Sequence, residues 1–108
     1  MAYKVLGQSA PSANTNTTLY TVPASKEAIV STIVICNRGT TAGFYSIAVR
    51  PAGATLANQH YIVFNSYLSA NQAFTLTLGI ALATTDVITV SSSSSSFSFS
   101  AFGNEVTA

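Results

Sequence analysis

Apolar and polar residues alternate along most of this 108-residue chain, and β-branched and aromatic residues dominate wherever the alternation is clear. A period of two puts successive side chains on opposite faces of an extended backbone, so the pattern predicts strands and almost no helix. The cleanest stretch is Ala73 to Leu78, with Phe74, Leu76 and Leu78 expected inward and Thr75 and Thr77 outward. Phe44 to Arg50 alternates too, with Tyr45, Ile47 and Val49 on one face. Shorter strands are expected at Ala2 to Leu6, Thr17 to Val22, Val87 to Ser91 and Phe97 to Phe102.

Two stretches break the alternation by being apolar on both faces. In Glu27 to Asn37 the series Ile29/Ser31/Ile33/Ile35 interleaves with Val30/Thr32/Val34/Cys36, and in Gln59 to Asn65 Tyr61 and Val63 oppose His60, Ile62 and Phe64. A strand apolar on both sides is expected to be covered on both sides, by a second sheet or by a neighbouring subunit.

Turn residues punctuate these runs. Gly7 to Asn16 reads as a loop, Arg38 to Gly43 as a glycine-bounded hairpin turn, and Pro51-Ala52-Gly53 as a strand end. Asn65-Ser66 and Ser69-Ala70-Asn71 flank a brief Tyr67-Leu68 segment, and Gly79 to Leu82 is expected to cross over to the next strand. The six serines Ser91 to Ser96 have the composition of a disordered linker, but their place between two strands favours the tip of a hairpin. Seven or eight short strands with turn signals about every ten residues predict an all-β chain, an antiparallel β-sandwich or jelly-roll-like fold, in a single domain over residues 1–108.

Charge changes the picture. The chain has four Lys or Arg and three Asp or Glu, a formal net charge of +1, where an ordinary domain is roughly a quarter charged. Serine and threonine supply 29 residues, so hydroxyls and amides must solvate the surface. Such a surface suits close packing beside other copies, where a buried unpaired charge is costly. Scattered Lys4, Lys26, Arg38 and Arg50 form no phosphate-binding cluster, so no nucleic-acid partner is expected. Neither a basic amphipathic helix nor a long apolar run is present, so no membrane partner is expected. The opening Met1 to Gln8 lacks the basic and apolar regions of a signal peptide, which makes synthesis in the cytoplasm the expectation and Asn16-Thr17-Thr18 a chance match to the glycosylation acceptor.

Candidate chemistry is sparse. The lone Cys36 cannot close an intrachain disulfide and reads as a small buried hydrophobe. His60 with Asp86 and a serine has the ingredients of a hydrolase triad, but there is no nucleophile-elbow motif, and His60 at a strand start reads as half-buried or interfacial. Asp86, just before Val87, is expected to bond the local backbone. One His, one Cys and three separated carboxylates show no metal-ligand spacing, and the glycines form no phosphate-cradling loop. No catalytic residue, metal or cofactor is therefore expected. Five tyrosines carry the polar-tipped rings common at interfaces and sugar sites, and Tyr67, between two turn-like segments, is the one expected to point outward.

The phrases Tyr3-Lys4-Val5-Leu6-Gly7-Gln8, Leu19-Tyr20-Thr21-Val22-Pro23-Ala24, Val34-Ile35-Cys36-Asn37-Arg38-Gly39, Ala48-Val49-Arg50-Pro51-Ala52-Gly53-Ala54, Thr77-Leu78-Gly79-Ile80, Asp86-Val87-Ile88-Thr89-Val90 and Phe102-Gly103-Asn104-Glu105-Val106 span essentially the whole chain. In these the sequence resembles a group of small all-β virion structural proteins of tailed bacteriophages. The resemblance implies a particle component with no catalytic residues to carry over: a capsid decoration or cement protein, or one associated with the tail or fibre. It implies localisation in the virion, with other phage virion proteins as partners. Together with the apolar faces this predicts a homo-oligomer, with Ile33, Ile35, Ile62, Phe64 and Tyr67 as expected interface residues. The alternative is a receptor-binding tip module for a host-surface glycan, carried by Tyr67 and the polar loops Gly7 to Asn16 and Ser91 to Ser96.

Overall fold

A computed structural model describes residues 3–108. Eight strands form the chain: β1 (Lys4–Ser9), β2 (Thr17–Thr21), β3 (Lys26–Asn37), β4 (Gly43–Arg50), β5 (Tyr61–Leu68), β6 (Ala73–Leu82), β7 (Val87–Ser92) and β8 (Phe97–Thr107). Two short 3-10 turns, Pro51–Gly53 and Asn58–His60, lie between β4 and β5. The strands pair into two antiparallel four-stranded sheets, ordered β1-β8-β3-β6 and β2-β7-β4-β5. That order interleaves the first and last halves of the chain in both sheets, which is the double Greek key of an eight-stranded jelly roll.

The order also changes the reading of the turns. Every connection except β4 to β5 passes from one sheet to the other. Arg38 to Gly43 and the serine run, expected as hairpin turns, are therefore arches over the end of the sandwich. A hairpin would need both flanking strands side by side, but β7 lies between β2 and β4 while β8 lies between β1 and β3. The two arches are tied together: Arg38 N donates to Ser96 O at 2.9 Å, Arg38 Nη2 to Ser95 O at 3.1 Å, and Ser93 N to Phe44 O at 2.9 Å. Serine suits the run because its hydroxyls complete the backbone's hydrogen bonding, as Ser92 Oγ to Ser94 O at 2.8 Å shows. Buried Asn37 fastens the same end. Its Nδ2 donates to Thr41 O at 2.9 Å and to Leu68 O and Ser69 O at 3.3 Å, while its Oδ1 accepts from Gly39 N at 3.0 Å.

The core lies between the sheets. Phe97, Phe99 and Ala101 of β8 and Ile33 and Ile35 of β3 meet Tyr45 and Ile47 of β4 and Ile88 and Val90 of β7. Truncating a buried phenylalanine such as Phe97 to alanine costs about 3–5 kcal/mol. Bulges explain the strands that looked apolar on both sides. At Ser31 the register of β3 shifts against β8. Ala28 and Val30 face inward before it, Ile33 and Ile35 after it, and Ile29 is left outward. A one-residue slip exchanges the faces, so Val30 of one series and Ile33 and Ile35 of the other share one inward face that changes phase, while Ile29, Val34 and Cys36 stay outward.

Several boundaries differ from expectation. Of the first expected strand, Ala2 lies outside the described residues and Tyr3 precedes the strand, which starts at Lys4 and continues past Leu6 to Ser9 because a bulge between Val5 and Gly7 lets Gly7, Gln8 and Ser9 pair with Ala101, Ser100 and Phe99. β6 carries on through Gly79 to Leu82, paired with Ala28 to Val30, instead of crossing over. β5 begins at Tyr61 and runs through Asn65 and Ser66 to Leu68, since Asn65 takes a left-handed conformation (φ 47°) inside a bulge without ending the strand.

Candidate functional site

The two lateral sides of the sandwich differ. On one, β1 and β2 close together: a Cβ on Gly7 would stand 2.1 Å from Leu19 O, an approach that only glycine permits. Three ionisable side chains converge there. Tyr20 Oη donates to Glu105 Oε2, and Lys4 Nζ pairs with Oε1 at 2.8 Å. The Lys4 hydrogen bond, then that of Tyr20, hold the Glu105 carboxyl below the usual carboxylate range. Burial, then the neighbouring carboxylate, push the Tyr20 phenol above its ordinary value.

The other side, between β5 and β6, is open, and the candidate site lies beside it, on the outer face of the β2-β7-β4-β5 sheet. β5 carries two bulges against β4, one at Ile62 and one at Phe64-Asn65. They turn Ile62 (45% exposed), Phe64 (65%) and Tyr67 (61%) to solvent, next to Phe44 of β4 (47%). The rings are ordered in edge-to-face pairs, Phe44 on Tyr67 at 5.8 Å and Tyr61 on Phe64 at 4.9 Å. Of the five expected interface residues, Ile62, Phe64 and Tyr67 are thus grouped on one surface. Ile33 and Ile35 are not: both are 0% exposed between the sheets, because the Ser31 bulge assigns them to the core.

Phe44 also forms one wall of a groove of about 220 Å³. Asn14 and Asn16 of the β1–β2 loop, Ser46 of β4, Asn65 of β5 and Ser91 of β7 line it together with Tyr45, Ser92 and Ser93. The sequence signal for Phe44 and Ser46 was present, as both lie on the outer face of β4, but nothing local placed the asparagines of a loop thirty residues away beside them. On the opposite sheet, Ile29, Ala81 and Val106 line a shallow apolar depression of about 500 Å³.

The other candidate side chains are occupied locally. His60 Nδ1 accepts from Ala57 N at 3.0 Å within its 3-10 turn. Asp86 does bond the backbone: Oδ2 accepts from Ala83 N at 2.9 Å, and Oδ1 reaches further, to Ala52 N at 2.8 Å, clamping the segment that follows β4. Arg50 braces that segment, donating to Thr89 Oγ1 at 3.0 Å and to Ala54 O at 3.1 Å. Cys36 is half-buried on the outer face of β3, opposite Ser98 and Ala73, and so less enclosed than expected. Among the described residues no three His, Cys, Asp or Glu side chains gather as a metal site would require. No protein-family model, curated protein or solved structure matches this chain.

Proposed function

We propose that this protein is a structural component of a bacteriophage virion, a decoration or tail- and fibre-associated module that works by self-association and by docking on the particle. The observation that carries the reading is the outward turn of Ile62, Phe64 and Tyr67 beside Phe44 on the open side. A small monomer gains nothing from holding Ile62, Phe64 and Tyr67 in water, whereas a second copy laid over β5 buries all three. With a formal net charge of +1, two copies meet almost no electrostatic repulsion. The jelly-roll order is consistent with this, since viral capsid domains use it, although lectins and cupins use it as well.

The bulges favour one mode of association. They break the regular hydrogen-bonding edge of β5, as edge strands do when they resist sheet extension. Copies would therefore meet through side chains rather than by adding strand to strand. Light scattering behind size exclusion is expected to give a closed oligomer at micromolar concentration, and Ile62→Lys a folded monomer. If Ile62→Lys assembled with unchanged mass, the β5 surface would not be the interface.

A further inference from the structure

We infer that the groove between the β1–β2 loop and strands β4, β5 and β7 is a binding site for a neutral glycan. The inference goes beyond the assembly reading and holds whether the protein is a monomer or an oligomer.

The lining defines the chemistry. Asn14, Asn16 and Asn65 offer carboxamides, Ser46 and Ser91 hydroxyls, and Phe44 an aromatic ring, with no acidic or basic side chain among the lining residues. Carboxamides present a donor and an acceptor side by side, which matches the vicinal hydroxyls of a sugar. Phosphorylated, sulfated or otherwise acidic ligands would find no cation. A wholly apolar ligand would leave amides and hydroxyls without partners, which is costly. What remains is a neutral ligand with hydroxyls along its rim and an apolar C–H face to lie against an aromatic ring, and a hexose has both. At about 220 Å³ the groove is below the roughly 300–1,000 Å³ of pockets that enclose a drug-sized ligand. It suits one ring of a longer chain, with the remainder in solvent.

The groove is also held in shape before any ligand arrives. Asn14 and Asn65 both adopt left-handed backbone conformations (φ 55° and 47°), which asparagine tolerates better than most residues. Each is fixed by hydrogen bonds: Asn14 N donates to Ser92 O at 2.7 Å, and Asn65 N to Ser46 Oγ at 3.0 Å. Phe44 is anchored through its N–H to Ser93 Oγ at 3.0 Å, and its ring rests edge-to-face on Tyr67. A wall ordered in advance lowers the entropy cost of binding. Tyr67 therefore acts as a positioning residue for Phe44 and does not itself line the groove. The serine run contributes Ser91, Ser92 and Ser93 to the lining, and Ser93 also anchors Phe44.

The test is saturation-transfer NMR on the full chain with free glucose, galactose, mannose and N-acetylglucosamine, which reads each site without avidity. At least one sugar should bind with millimolar affinity. Asn16→Ala and Phe44→Ala should each weaken that binding at least tenfold with their melting temperatures unchanged, and Tyr67→Ala should weaken it less. Ile62→Lys, which bears on assembly, should bind as the wild type does, so failure of the site and failure of the interface are separately visible. Absence of transfer to all four sugars overturns the site, as does binding that survives both Asn16→Ala and Phe44→Ala. Equal transfer to an acidic sugar such as glucuronate would overturn the requirement for neutrality.

Discussion

Two glycines on opposite sides of the sandwich show how differently its sides are built. Gly7, in β1, lies so near β2 that an added Cβ would stand 2.1 Å from Leu19 O and 3.1 Å from its carbonyl carbon. Gly79, in the edge strand β6, has nothing within 4 Å of the same position. Each lies beside a bulge in its strand. In the first the missing side chain lets two backbones touch and the sheets close; in the second it leaves an edge bare. The polar contacts follow the same division, since Lys4, Tyr20 and Glu105 all gather on the closed side. The open side carries the exposed Ile62, Phe64 and Tyr67 of β5, and between them and the β1–β2 loop the outer face of the sheet holds a neutral groove. Backbone contact closes one side of the sandwich, while the exposed side chains of the other are free to change at little cost to folding.

The sharpest way to break this comparison is Gly7→Ala. The new methyl meets backbone rather than a movable side chain, so β1 must part from β2, and a loss of about 3 kcal/mol or more is expected in denaturant unfolding. That is a large share of the roughly 5–15 kcal/mol that holds a domain of this size together. A Gly7→Ala variant as stable as the wild type would show that the two edges are not in contact in solution.

Next comes the polar cluster of Lys4, Tyr20 and Glu105. Glu105 titrates below the ordinary carboxylate range in the folded chain, so its contribution is present above an unfolded pKa of about 4.3 and is lost as pH falls through the lower folded value. Tyr20 shifts the other way: its folded pKa is raised, so its contribution is fully present below an unfolded pKa of about 10 and is lost as pH rises from there through the higher folded value. Stability should therefore be flat across neutral pH and fall at both extremes. Glu105→Gln should cost about 1–2 kcal/mol at pH 7, because the carboxylate accepts from two partners while Lys4 is largely solvated. The same variant should flatten the acid limb of the profile. Tyr20→Phe should flatten the alkaline one. An unchanged acid limb in Glu105→Gln would remove the cluster from the account of stability.

On the open side the expected changes are smaller. Gly79→Ala should stabilise by about 0.4–1 kcal/mol, since the backbone there is free of positive φ and the methyl enters open space while the unfolded chain loses freedom. A rise in melting temperature of a few degrees would register it.

How far the sequence carried the fold can be judged from these same strands. In the run Phe74 to Leu78 the alternation held only in part: Leu76 packs against the core, while Phe74, on the edge strand, is 46% exposed. All eight strands were visible, six as alternating segments and two as runs apolar on both faces. Which sheet each strand joins was not visible, because a run such as Arg38 to Gly43 makes a hairpin or an arch with equal ease; only the pairing of β3 with β8 and of β4 with β7 decides it. Bulges were hidden for a related reason. The shift at Ser31 depends on which residue of β8 faces it, and nothing near Ser31 in the sequence records that partner. The same holds for Lys4, Tyr20 and Glu105, which are brought together from the two ends of the chain. For the candidate site, Tyr67 and the loop asparagines were legible as exposed polar and aromatic positions. Their convergence on Phe44 and Ser46 was not, since it requires the double Greek key to bring β7 beside β4.

The finest contrast lies within one strand. Val63 and Phe64 are neighbours in β5, yet Val63 packs against the core while Phe64 is 65% exposed. Val63→Ser removes buried methyl groups and adds a hydroxyl to the core edge, so it should lower stability by about 1–2 kcal/mol. Phe64→Ser, one residue later, should change the stability of the isolated chain by no more than about 0.5 kcal/mol. Its effect should appear instead in light scattering, as a shift from oligomer to monomer at the same protein concentration. Should Phe64→Ser destabilise the chain as much as Val63→Ser while leaving the mass unchanged, the exposed ring would belong to the fold. The open side would then have no claim to be an interface. If the two variants separate as expected, the bulges of β5 earn their place as the device that turns a strand apolar on both faces into one face for the core and one for a partner.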